Sequence, residues 1–231
     1  PRMRGLFVTG TDTGVGKTRV ATALAHALSL RGMRVRARKP VESGVDARTG
    51  PLDAQALREA AGAHEPLDRV CPLRLRAPLS PERAARLEGV QLDLDDLLAS
   101  LRADADDGFV LVEGAGGFLS PIARGALNAD LAQALALPVL VVAADRLGTL
   151  NHTLLTIEAV RARGLAVAAV VLNAPVAGDT REMDNAGELA RWLGRPVASL
   201  PHCDAAVPAA WRDDASRLVA VVDALLDGGP A

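Results

Sequence analysis

Gly5-Leu6-Phe7-Val8-Thr9-Gly10-Thr11-Asp12-Thr13-Gly14-Val15-Gly16-Lys17-Thr18, continued by Arg19-Val20-Ala21-Thr22-Ala23-Leu24-Ala25-His26-Ala27, reads as a short apolar strand over Leu6 to Val8, a glycine-rich turn and a helix opening at Gly16-Lys17-Thr18. At the mouth of such a helix several backbone N–H groups lack intrahelical partners and the peptide dipoles add partial positive charge. Glycines let the chain close around an anion there. Lys17 adds a full charge near the β- and γ-phosphates of a nucleotide, and the Thr18 hydroxyl is placed to ligate magnesium. The loop is a variant: the usual G-x-x-x-x-G-K-[ST] pattern asks for glycine at Thr11, whereas here glycine stands one place earlier, at Gly10. Asp12 to Thr18 lines up better with the ATPase branch that carries Lys-Gly-Gly-x-Gly-Lys-Thr, with Asp12 in place of that branch's extra lysine. A tight strand-to-helix connection would account for the glycines alone, but not for Gly-Lys-Thr beside them.

Working outward, the 231 residues suffice for one large α/β domain, and a single nucleotide-binding domain over 1–231 is expected. Hydrophobic residues make up 49% but aromatics only 2%, so the core must be built from Ala, Val and Leu. With 26 basic and 28 acidic residues the net charge of -2 exerts no general pull on nucleic acid or anionic membrane. Cys71 and Cys203 are far apart, and the four histidines, His26, His64, His152 and His202, share no metal-binding spacing. Reduced thiols, no leader-like apolar segment and no membrane-length run read as a cytoplasmic protein.

Met33 to Ala37 reads as a second strand, leading into Arg38-Lys39-Pro40-Val41-Glu42-Ser43-Gly44. Pro40 biases Lys39 toward an extended conformation, so Lys39 falls at a strand's carboxyl end, the edge that faces the ligand crevice in open parallel sheets. An ordinary solvated lysine is the competing reading. A helix follows from Leu52, with Asp53 near its start, where it would either complement the dipole or face a site. Glu65 to Pro81, with prolines at 66, 72, 78 and 81, is expected to be an extended surface excursion, followed by helices over Pro81 to Leu87 and Asp93 to Ala105.

In Gly108-Phe109-Val110-Leu111-Val112-Glu113-Gly114-Ala115-Gly116-Gly117, four apolar residues deliver a carboxylate straight into a predicted glycine turn. Magnesium favours an octahedron of oxygens, so Thr18, Asp53, Glu113 and phosphate oxygens form a coherent set; the alternative is an acid that only solubilises a turn. A helix capped by Asn128, an apolar strand over Val139 to Ala143, a helix reaching Arg163, a strand over Leu165 to Leu172, a helix over Arg181 to Leu193, a short strand before Pro201 and a helix over Ala215 to Leu226 complete the pattern. Asn173 follows the penultimate strand; its amide suits the N6 and N7 edge of adenine, and asparagine is equally a common turn residue. Apolar strands alternating with helices imply a parallel sheet covered on both faces, an α/β fold of phosphate-loop NTPase type.

Taken together, Gly10 to Thr18, Lys39-Pro40-Val41-Glu42-Ser43-Gly44, Asp53, Glu113 to Gly117 and Leu147-Gly148-Thr149-Leu150-Asn151-His152 closely resemble the dethiobiotin synthetase family in order and content, over about Gly5 to Pro201. The resemblance implies an ATP-dependent ligase of biotin biosynthesis. In that family 7,8-diaminopelargonic acid, CO2 and ATP become dethiobiotin, ADP and phosphate, through a carbamate and a carbamic-phosphoric anhydride. Carried over to this chain, it implies Lys17, Lys39 and Thr13 as catalytic residues, Ser43 as a substrate ligand, and Thr18, Asp53 and Glu113 around Mg2+. It further implies ATP contacts from Gly14, Val15, Gly16, Lys17, Thr18 and Arg19, and an adenine pocket of Asn173, Pro201 and His202. It also implies a homodimer in which the helix start at Thr149, Leu150 and Asn151 holds the substrate carboxylate of the partner's site. A partition ATPase would carry the extra loop lysine and a basic membrane helix. A cobyrinic-acid-type ligase would need a glutaminase domain, and a small-molecule kinase would not need Lys39 or the glycine-rich turn after Glu113.

Overall fold

The computed structural model describes residues 3–103, 108–174, 183–203 and 207–227, with the side chains of 207–210 aside. The expected helix ends at Ala105 and Arg181 lie outside these residues. Six parallel strands form the central sheet: β1 (Gly5–Gly10), β2 (Val35–Arg38), β5 (Phe109–Gly117), β8 (Val139–Ala144), β9 (Val167–Asn173) and β10 (Ala198–Leu200). Their order is β10-β9-β8-β1-β5-β2, with the phosphate-loop strand inside the sheet. Short pairs stand beside it: β3 (Val41–Ser43) parallel to β4 (Leu73–Leu75), and β6 (Pro121–Ala123) antiparallel to β7 (Ala126–Leu127).

Side chains alternate across a strand, and β1 shows what that does here. Leu6 and Val8 enter a core shared with α1 (Lys17–Leu30), α2 (Leu52–Ala60), α3 (Leu67–Val70), α9 (Val207–Arg217) and α10 (Val219–Leu226). Phe7 enters the opposite core, with α4 (Pro81–Leu87), α5 (Leu94–Arg102), α6 (Asn128–Leu135) and α7 (Thr149–Ala162). Both faces are therefore covered, as the continuous apolar strands require. The last helix begins earlier than the apolar pattern indicates and breaks in two at Leu218. Trp211 of α9 is buried and packs edge-to-face with His26 of α1, their ring centroids 4.4 Å apart, while Trp192, on α8 (Asn185–Leu193), is 71% exposed.

Three local expectations are corrected. The run after Glu113 is no turn: β5 continues to Gly117, and a bulge absorbs the difference, since Val8 pairs with Glu113 and Gly10 with Gly117. The excursion from Glu65 to Pro81 is partly regular, because Val41–Ser43 offers β4 an edge to pair with and Pro66 precedes the single turn of α3. Asn128 does not cap its helix. It is wholly buried; its amide nitrogen donates to the carbonyls of Ala115 and Ser120 at 2.7 and 3.1 Å, and its oxygen accepts from the Ala115 N–H at 3.1 Å. It fastens the end of β5 to the loop that follows, and Asp130 accepts the Leu127 N–H at the helix start.

Candidate functional site

The carboxyl ends of β1, β2 and β5 open onto one cleft of about 350 Å³. Thr13, Gly14, Gly16, Lys17, Thr18, Arg19, Lys39, Ser43, Asp53 and Glu113 all line it, so residues from four stretches of the sequence converge there. The loop closes tightly because Gly16 has φ 96°, in the left-handed region, and a Cβ there would lie 2.1 Å from Asn173 Nδ2. Val15 is buried beneath the loop. The Lys17 ammonium donates to the Asp12 carbonyl at 3.2 Å, and burial lowers its pKa.

Lys39 is not a solvated lysine. It is 4% exposed, and its ammonium donates to Asp53 Oδ2 at 2.9 Å and to Glu113 Oε1 at 2.5 Å. Burial opposes its charge, but the two carboxylates outweigh burial and raise its pKa. Glu113 shows the opposite balance: fully enclosed, its carboxyl is pushed up by desolvation despite Lys39. Thr18 Oγ1 donates to Glu113 Oε1 at 2.8 Å. For Asp53, desolvation acts upward first, but Lys39 and the Thr18 hydroxyl bring the net shift down.

A role for Glu42 is not evident from its place in the sequence. Its oxygens accept the Asp53 and Ala54 N–H groups at 3.1 and 3.0 Å, capping α2 and fixing the aspartate against Lys39. Burial raises the Glu42 pKa. Ser43 donates to the Leu79 carbonyl at 2.7 Å, at the join between the cleft and a second cavity of about 320 Å³ walled by Pro78, Leu79, Ser80 and Pro81. Thr13, Ser43, Ala115 and Gly116 border both spaces.

Magnesium fits this donor set. Thr18, Asp53 and Glu113 offer hard oxygens only, and Glu113 Oε2 is buried without a hydrogen-bond partner. Among the described residues no group of three or more His, Cys, Asp or Glu side chains could hold a metal.

Asn173 lies behind the loop. Asn173 is 4% exposed; its Nδ2 donates to the Val15 carbonyl at 3.0 Å and its Oδ1 accepts from Arg19 at 2.9 Å. Arg19 also donates to the Pro201 carbonyl at 2.8 Å, and His202, half-buried, follows. Thr149, Leu150 and Asn151 open α7 and line neither the cleft nor the cavity beside it.

A strand, a glycine loop and a helix mouth with Lys17 and Thr18, inside a parallel sheet, define a phosphate-loop nucleoside triphosphatase fold. A family model described as an AAA domain matches residues 4–208. One chain of the MinC:MinD cell division protein complex from Aquifex aeolicus superposes with a TM-score of 0.57 over 97% of this chain and 96% of that one, at 14% identity, a likeness of fold alone. The relatives in sequence are narrower. The ATP-dependent dethiobiotin synthetase BioD of Anaeromyxobacter dehalogenans (strain 2CP-C) is 47% identical over 97% of this chain and 97% of its own. That of Caulobacter vibrioides (strain NA1000 / CB15N) is 48% identical over 74% of this chain and 80% of its own. The chain belongs to the dethiobiotin synthetase family.

Proposed function

We propose that the protein is an ATP-dependent cyclo-ligase that closes the ureido ring of dethiobiotin from 7,8-diaminopelargonic acid and CO2, releasing ADP and phosphate. The observation that supports it best is the meeting of Lys17, Lys39, Asp53, Glu113 and Thr18 at one cleft in a chain with full-length synthetase relatives. The chemistry asks for charge neutralisation and alignment, because an anionic carbamate must approach an anionic phosphate. Amides of Gly14 to Arg19 cradle the phosphates, and Lys17 neutralises the transferred one. Lys39 holds fixed positive charge between the carbamate and phosphate oxygens, and Thr13 and Ser43 orient the diamine. Thr18, Asp53 and Glu113 hold Mg2+, which when bound neutralises phosphate charge. Asn173, Pro201 and His202 receive the adenine.

The second cavity, with its Pro78, Leu79 and Pro81 wall, suits the aliphatic chain of the substrate. Its carboxylate is received by the helix start at Thr149, Leu150 and Asn151 of the partner subunit in a homodimer. Among the described residues no helix is long and apolar enough to cross a membrane, and neither nucleic acid nor lipid is required; the reaction is assigned to the cytoplasm. The test is phosphate release with ATP, Mg2+, bicarbonate and candidate diamines. Dependence on 7,8-diaminopelargonic acid is expected, and release indifferent to it but stimulated by DNA or lipid would overturn the assignment.

A further inference from the structure

We infer that Arg19, clamped by Asp214 of the C-terminal helix α9, is a positioning residue that sets nucleobase selectivity by locking the orientation of the Asn173 amide. The inference rests on Asn173 meeting the base. Arg19 Nε and Nη2 form a fork on the Asp214 carboxylate at 2.6 and 2.8 Å, and its Nη1 reaches both Asn173 Oδ1 and the Pro201 carbonyl. The ion pair is nearly closed to water, with side chains 11% and 5% exposed. Trp211, on the same helix, packs against His26, so α9 holds α1 at two places.

A guanidinium only donates and a carbonyl only accepts. Oδ1 of Asn173 must therefore face Arg19, and Nδ2 must face the Val15 carbonyl. Turning the amide over would set donor against donor and acceptor against acceptor. Each end keeps half its capacity, one lone pair on Oδ1 and one hydrogen on Nδ2. That pair complements an amino group beside a ring nitrogen, as in adenine, and opposes an acceptor to the keto oxygen of guanine. Because Asp214 neutralises Arg19, the guanidinium acts on the base side rather than as a free charge for the triphosphate.

The experiment is steady-state phosphate release with ATP and with GTP for the wild type, Arg19→Met, Asp214→Asn and Asn173→Ala. The ratio of kcat/KM for ATP over GTP should fall about tenfold or more in Arg19→Met and part of the way in Asp214→Asn, with the loss in the KM for ATP. An unchanged ratio in both, with lower Tm and equal losses for both nucleotides, would reduce the clamp to scaffolding and overturn the inference. If Arg19→Met does not fold, the near-isosteric Asp214→Asn decides. A wild-type ratio in Asn173→Ala would instead remove Asn173 from the base site, and with it the premise, while diamine-dependent release in the wild type stays as a separate reading.

Discussion

Replacing Lys39 by methionine removes one charge while keeping most of the side-chain volume. In the folded protein that charge stands 2.5 Å from Glu113 Oε1 and 2.9 Å from Asp53 Oδ2. The two pairs are unequal: the Glu113 side chain is 1% exposed, whereas that of Asp53 is 42% exposed, so solvent screens much of the second. Stranding a buried carboxylate costs about 3–5 kcal/mol, and the lower figure is the better guide because Glu113 can escape by taking up a proton. In a chain of this size about 3 kcal/mol corresponds to a Tm loss of about 6–12 °C. Burial raises the folded-state pKa of Glu113 above its ordinary 4.5, so the penalty in the variant is smallest at low pH and grows as pH rises through the raised value. Mg2+ with ADP should narrow the gap to wild type, since a divalent ion restores positive charge at the stranded carboxylates. Turnover at saturating ATP should fall by about 10²–10³. Differential scanning calorimetry at pH 5.5 and 8, with and without Mg·ADP, together with phosphate release, tests all of this. A variant that melts within about 2 °C of wild type at both pH values and keeps its turnover would refute the reasoning.

Gly16→Ala places a Cβ 2.1 Å from Asn173 Nδ2 on a backbone of φ 96°, so nucleotide affinity by calorimetry should drop at least about tenfold as the loop shifts. Glu65 takes a fork from the buried Arg38 at 2.7 and 2.8 Å, and that hydrogen bonding holds its carboxyl below the ordinary 4.5. The stabilisation is complete above pH 4.5 and lost as pH falls through the lower folded value. Glu65→Gln should therefore cost about 2–3 kcal/mol in urea at pH 7, and progressively less as the pH is lowered below 4.5. Cys71 is buried with its thiol pushed up to about 12, while Cys203 is exposed, so a disulfide dye at pH 8 should titrate one thiol in the native protein and both after denaturation.

The architecture was legible because its signals are local. Continuous apolar runs mark parallel strands, and Gly16-Lys17-Thr18 marks the helix mouth. The approach of Lys39 and Glu113 to the phosphate loop could also be inferred, since parallel strands deliver their carboxyl ends to one edge, and in the sheet β5 lies between β1 and β2. What could not be read were the partners of single polar residues far apart in the chain. Asn128 has the composition of a helix cap, and only tertiary packing turns it into a buried fastener for residues 115–120. Asp214 is one acid among others in a C-terminal helix until Arg19, 195 positions earlier, is laid against it. Likewise Glu65 to Pro81 looked irregular because pairing of β4 with β3 depends on an edge that sequence does not display.

The near absence of aromatic residues has an optical consequence. With no tyrosine and only two tryptophans, ultraviolet emission comes from Trp192, which faces solvent, and Trp211, which is sealed against the phosphate-loop helix. A soluble quencher silences the first, leaving the second as a label-free gauge of whether the C-terminal helix stays seated when a nucleotide arrives.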